Sequence, residues 1–119
     1  MKPTPKSPEK KLRDAWLRLS PLPGGKWLFS KVCGVMIPYT GSIGARVDVL
    51  EPGHAEVVLT DRRSVRNHLD SIHAIAQMNL AEFTTGLAMS MAMPPEGRAI
   101  LTGLSIEFTK KARGTVRSE

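Results

Sequence analysis

Between Ser71 and Pro95 the chain carries one formal charge, Glu82, in 25 residues otherwise built from Ala, Leu, Ile, Met and Phe with a few small polar groups. A lone carboxylate in so apolar a run should lose hydration, which suits a general base. Ala74 falls in the first turn of the same run, where free N–H groups and the helix dipole favour negative charge. A base and an anion-holding backbone group are two parts of a hydrolytic site. Each residue also has a plain structural reading. Glu82 would serve as a buried ion-pair partner, Asn67 as a turn residue, His73 as a first-turn residue, and Ser71 or Asp70 as an N-cap. His73 and Glu82, nine residues apart, are about 900° apart around a helix and so lie on opposite faces. They cannot meet within one subunit.

The element that positions them is a helix expected over about Ile72 to Met93. Ala, Leu and Met favour it, and Pro94-Pro95 ends it. Apolar residues surround it, so it must be covered on most sides; Met78, Met89, Met91 and Met93 read as core filling. Gln77, Asn79 and Glu82 make it too polar for a membrane span. Before it, Lys10 to Ser20 places Leu12, Ala15, Trp16 and Leu19 at helical spacing, and Lys26 to Met36 is a second short helix. The first is a basic amphipathic stripe, better suited to packing on its own domain than to a membrane surface. From Ser42 the period becomes two, with Ile43, Ala45, Val47 and Val49 on one face. Pro52-Gly53 fits the centre of a type II turn, and Ala55 to Thr60 returns as the second strand of a hairpin. Asp61 to Asp70 is a polar connection. A strand is expected over Arg98 to Lys110, with Ile100, Leu104, Ile106 and Phe108 on one face. A turn at Ala112-Arg113-Gly114 leads into a further strand from Thr115. Three strands about 4.8 Å apart cover only about 15 Å of width. The C-terminal strands therefore read as missing, supplied beyond Glu119 or by a partner subunit.

The net charge of +6 is not spread evenly. Residues 1–31 hold eight basic and two acidic side chains, the whole excess, while residues 32–119 balance at nine of each. With no basic-aromatic interleaving in the strands, nucleic acid is not an expected partner. The single cysteine, Cys33, excludes an internal disulfide and fits a reducing, cytoplasmic setting. No metal-ligand spacing and no phosphate-cradling Gly-rich loop occur.

The order hairpin, long helix, antiparallel strands resembles the hotdog fold, an α+β architecture in which a curled sheet wraps one apolar helix. The residues Asn67-His68-Leu69-Asp70-Ser71-Ile72-His73-Ala74, Asn79-Leu80-Ala81-Glu82, Thr85-Gly86-Leu87-Ala88 and Lys110-Lys111-Ala112-Arg113-Gly114, with Pro38-Tyr39-Thr40-Gly41, carry the resemblance. Together they are similar to a hotdog domain of unknown function related to the PaaI-like acyl-CoA thioesterases, over about residues 10–119. The implied division is a disordered tail over 1–9, a helical segment over 10–36 and the hotdog domain over 37–119. Thioesterases of this branch have an amide six residues before a His-Gly-Gly and an acid nine after that His. Asn67, His73 and Glu82 match in type and spacing; Ala74 and Ile75 replace the two glycines, and Ile75 adds bulk to the acyl channel.

The resemblance implies hydrolysis of an acyl-CoA or acyl-carrier thioester, coenzyme A being part of the substrate and no cofactor being needed. Glu82 would be base or nucleophile, Asn67 would orient water, and His73 would hold the carbonyl or thiol side. Ala74 would supply the oxyanion N–H, Thr85 would line the pocket, and Lys110, Lys111 and Arg113 would meet phosphates. The site would form between subunits of a homodimer or dimer of dimers. Two other readings stand beside it. One is a non-catalytic acyl-binding or dimerisation module. The other, ranked below, is a dehydratase using His68 and Glu82, whose fourteen-residue spacing resembles acyl-carrier-protein dehydratases without their intervening Pro-Gly.

Overall fold

The computed structural model describes residues 7–119; the first six residues of the expected disordered tail lie outside that range. Helix α1 (Pro8–Leu19) starts two residues before the expected Lys10, because Ser7 caps it by accepting the Lys10 N–H at 3.2 Å and Pro8 sits at its first position. Leu12 and Trp16, one turn apart, are its buried face. Helix α2 (Gly25–Met36) buries Phe29 and Cys33 at the same spacing, and the Trp16 and Phe29 rings meet edge to face at 5.0 Å. The basic stripe of α1 thus packs on its own domain. The tight link between the two helices requires glycine: a Cβ on Gly25 would lie 1.6 Å from the Leu19 carbonyl oxygen. Cys33 is a core residue, and burial pushes its thiol up to about 12. A single turn, α3 (Pro38–Gly41), leads to the sheet.

Strands β1 (Arg46–Glu51) and β2 (His54–Leu59) form the expected antiparallel hairpin, closed by Gly53 at φ +78°. The turn tip is also docked on the long helix, since the Gly53 N–H donates to the Ala88 carbonyl at 3.0 Å. The alternation of β1 differs from expectation. A register shift between Val47 and Val49 moves the second inward position from Val49 to Leu50, which is buried while Val49 is only half-buried. Strand β3 (Val116–Ser118) pairs antiparallel with β2, giving the order β1-β2-β3.

Helix α4 (Ala74–Ala92) lies on this sheet, as expected within two residues. Its Ala76, Leu80, Phe83, Leu87 and Met91 enter one core with Phe29, Val47, Val57 and Leu59. Covering is incomplete: Ile75 and Met89 are about half exposed at 52% and 46%. At its C-terminal end Arg13 donates from Nη2 to the Ser90 and Met93 carbonyls, a cation where the helix dipole is negative.

The expected strand over Arg98 to Lys110 is absent among the described residues. The segment is irregular, and Ile100, Leu104, Ile106 and Phe108 are all exposed. Alternation makes a segment able to bury one face, but a strand exists only as half of a ladder. Here β1 and β3 occupy the two sides of β2, and the outer side of β1 meets α2, where the Ser30 Oγ accepts the Val47 N–H at 2.9 Å. Residues 98–110 have no such neighbour among the described residues. No helix among the described residues is long and apolar enough to cross a membrane.

Candidate functional site

The residues singled out from the sequence fall into two groups along α4. The first surrounds its N-terminus. Arg66 and Ile72 form an isolated antiparallel bridge, and the turn between them has Asp70 in the left-handed region at φ +56°. Asn67 builds that turn: its Oδ1 accepts the Leu69 N–H at 2.9 Å and the Ser71 N–H at 3.1 Å, and its own N–H donates to the Ser71 carbonyl. His73, exposed, is the N-cap of α4, with Nδ1 accepting the Ile75 N–H at 3.0 Å. The cap is thus neither Ser71 nor Asp70. A capping Nδ1 must be unprotonated, which sets the tautomer.

The Ile72 N–H donates to the Ala112 carbonyl at 2.8 Å and so brings the chain before Ala112 alongside the helix start. Asn67, Ala74, Lys110 and Lys111 consequently line one shallow depression of about 450 Å³. No acceptor meets the Ala74 N–H among the described residues. Ser71 lines the same depression; it is 4% exposed, and its Oγ has no hydrogen-bond partner there. Nothing in the sequence marked Ser71 as more than a cap. Arg113, exposed, does not line this depression. The loop is anchored by Asp61, which pairs with Arg66 at 2.7 Å and accepts the Gly114 N–H at 3.2 Å. The Arg66 hydrogen bond and charge hold the Asp61 carboxyl below its ordinary value, with the Gly114 N–H adding to the effect.

The second group lies midway along α4. Glu82 and Thr85 line an apolar cavity of about 470 Å³ with Phe83, Leu87, Met89 and, from the irregular segment, Ile100 and Leu101. Glu82 is half-buried, and its carboxylate has no hydrogen bond or ion pair among the described residues. A second carboxylate, Glu9 of α1, lines the same cavity, and its buried Oε2 is also unpartnered there. Glu9 carries no mark in the sequence, because nothing in a polar α1 face points toward α4.

Among the described residues the two groups line separate cavities: Glu82 lines one, Asn67 and Ala74 a second, and His73 a third. His68 is exposed and lines none of them, so His68 and Glu82 are not gathered for a shared proton transfer. Distant residues do approach metal-ligand geometry elsewhere: His54, Glu56 and Glu119 bring ligand atoms within 4.8 Å of one another at the exposed sheet end. Arg117 already pairs there with Glu56 at 3.1 Å.

Comparison with solved structures gives the class. A crystal structure of a genomics target matches at TM-score 0.78 and 33% identity, over 93% of this chain and 72% of the other. A 1.5 Å crystal structure of a Pseudomonas aeruginosa protein of unknown function, described as a probable thioesterase, matches at TM-score 0.65 and 26% identity, over 81% and 63%. A three-stranded antiparallel sheet against one long helix, in this company, is the α+β hotdog fold. Residues 25–119 match a domain of unknown function, DUF4442, and the chain belongs to that family. No curated protein matches the chain at a significant level.

Proposed function

We propose that this protein hydrolyses acyl thioesters, with Glu82 as the base. The observation that carries the proposal is an unpartnered carboxylate lining an apolar cavity large enough for an acyl chain. The hotdog neighbour described as a probable thioesterase supports the same reaction class. The α4 N-terminus of a second copy completes the site, because His73 and Glu82 face opposite ways on one helix. Glu82 takes a proton from water as the water oxygen attacks the thioester carbonyl carbon. The oxyanion is held by the Ala74 N–H and the Ser71 hydroxyl, with Lys110 and Lys111 adding positive charge beside them. The amide Nδ2 of Asn67, whose Oδ1 is occupied, orients the water. The C–S bond then breaks, and the thiolate leaves with the proton from Glu82.

A non-catalytic acyl-binding module is the second reading, favoured by one observation. Asn67 and His73 already spend acceptor atoms on the local backbone, as purely structural residues would. Thiol release from a panel of acyl-CoAs decides between them, comparing wild type with Glu82→Ala at matched dimer content. Hydrolysis that depends on Glu82 is expected. A folded dimer that releases no thiol from any thioester leaves the binding module.

A further inference from the structure

The geometry points to a phosphate-binding pocket between α2 and the start of β1, which receives the phosphorylated end of a coenzyme A-type ligand. A cavity of about 420 Å³ there is lined by Lys31, Arg46 and Arg62 together with Trp27 and Phe83, and no carboxylate of the described residues lines it. Neither Lys31 nor Arg46 forms an ion pair among the described residues; the lysine Nζ lies 5.6 Å from the Trp27 ring centre. Three cationic residues lining one cleft repel each other, and an anion bound there relieves that repulsion.

The three are not equivalent. Arg62 is fixed, its Nη2 donating to the carbonyls of Ile43 at 3.1 Å and Gly44 at 2.8 Å. It lies so close over Gly44, which sits at φ +62°, that a Cβ there would come within 2.8 Å of Nη2. Its Nη1 and Nε make no hydrogen bond among the described residues and remain available as separate donors. Lys31 and Arg46 are exposed and free to close on a ligand. Trp27, 60% exposed, adds an aromatic surface beside the charges, which suits a nucleotide better than a bare phosphate.

Position ties this pocket to the proposed chemistry. Thr40 and Phe83 line both it and the Glu82 cavity, so the two spaces adjoin. A thioester whose phosphates sit among the cations extends past Thr40 and Phe83 toward Glu82. The assignment of the ligand as a thioester carrier rests on the thioesterase reading; the phosphate site does not. Lys31 and Arg46 stand 15 residues apart on different elements, and Arg62 follows after the hairpin, so no local motif marks the cluster.

Calorimetric titration of the full chain with free coenzyme A tests the inference, with phosphopantetheine, adenosine bisphosphate and phosphate-free pantetheine as the other probes. The Lys31→Gln/Arg46→Gln double variant is the test and Lys11→Gln/Arg18→Gln the charge-matched control; all four positions are exposed, and thermal unfolding checks the fold. Coenzyme A binding is expected to weaken about tenfold or more in the first variant only, to fall with added salt, and to exceed pantetheine binding. A preference for adenosine bisphosphate over phosphopantetheine assigns the pocket to the nucleotide end, and the reverse to the pantetheine phosphate. Equal loss in the control, or no difference between coenzyme A and pantetheine, overturns the proposal. A chain that binds coenzyme A through this pocket yet hydrolyses no thioester removes the thioesterase reading alone.

Discussion

The two ends of the candidate site are built on opposite principles. At the N-terminus of α4 the polar side chains are committed to backbone: Asn67 holds the Leu69 and Ser71 N–H groups, and His73 holds that of Ile75. Midway along the helix Glu82, like Glu9 of α1 in the same cavity, has a carboxylate with no partner among the described residues. A residue already bonded to its own loop is placed with little freedom but has few atoms left for a substrate. An unpartnered carboxylate at an apolar cavity has spent none of its acceptor capacity on the local backbone. The first end is a frame for backbone donors, and the second leaves a carboxylate without a partner among the described residues.

The largest expected effect follows from this contrast. Glu82→Gln should lower thioester hydrolysis about 10³-fold while leaving the thermal midpoint near that of wild type. A variant that instead loses stability in proportion would place Glu82 with the structural residues. Asn67 should behave in two ways at once. Asn67→Ala strips the acceptor from two N–H groups and should cost about 1–3 kcal/mol in denaturant unfolding. Asn67→Asp keeps the acceptor and loses the Nδ2 donor, so stability should hold while hydrolysis falls. Full activity in the Asp variant would make Asn67 a frame residue only.

A smaller effect is expected at His73. Removing the cap with His73→Ala should cost about 1 kcal/mol, and His73→Asn, which retains a short acceptor, should recover most of it. Smallest is the anchor of the frame. Asp61 has a folded value below the ordinary 3.8, so its pairing stabilises the fold above that pH and the contribution is lost as pH falls through the folded value. Asp61→Asn should therefore lower the thermal midpoint at neutral pH, with the gap to wild type closing in strong acid. A gap that persists there would assign the effect to packing rather than to the Arg66 pair.

Much of the fold can be read from local pattern. Leu12 and Trp16, Phe29 and Cys33, and the run from Ala74 to Ala92 announce helices because their spacing and composition act within a few residues. Pro52-Gly53 closes the hairpin by its own backbone preference, and Val116 enters a strand as its β-branched type and the turn at Gly114 imply. The site was legible only in part. Asn67 stood out through the family resemblance, Ala74 by its place in the first turn, and Glu82 as the one charge in an apolar helix. Glu9, Ser71 and the Lys31, Arg46 and Arg62 cluster did not, since each depends on which distant segment lies opposite.

The sequence by itself determined the helices, the hairpin and its turn, and the opposition of His73 and Glu82 across one helix, because these follow from local dihedral preference and helical repeat. The tertiary structure decided the rest. It shifted the β1 face from Val49 to Leu50, left Ile100 to Phe108 without a ladder, made His73 the cap, and gathered three cations beside the Glu82 cavity. Strand pairing, cavity lining and charge clusters are relations between segments far apart in the chain, and only the packing of those segments against one another sets them.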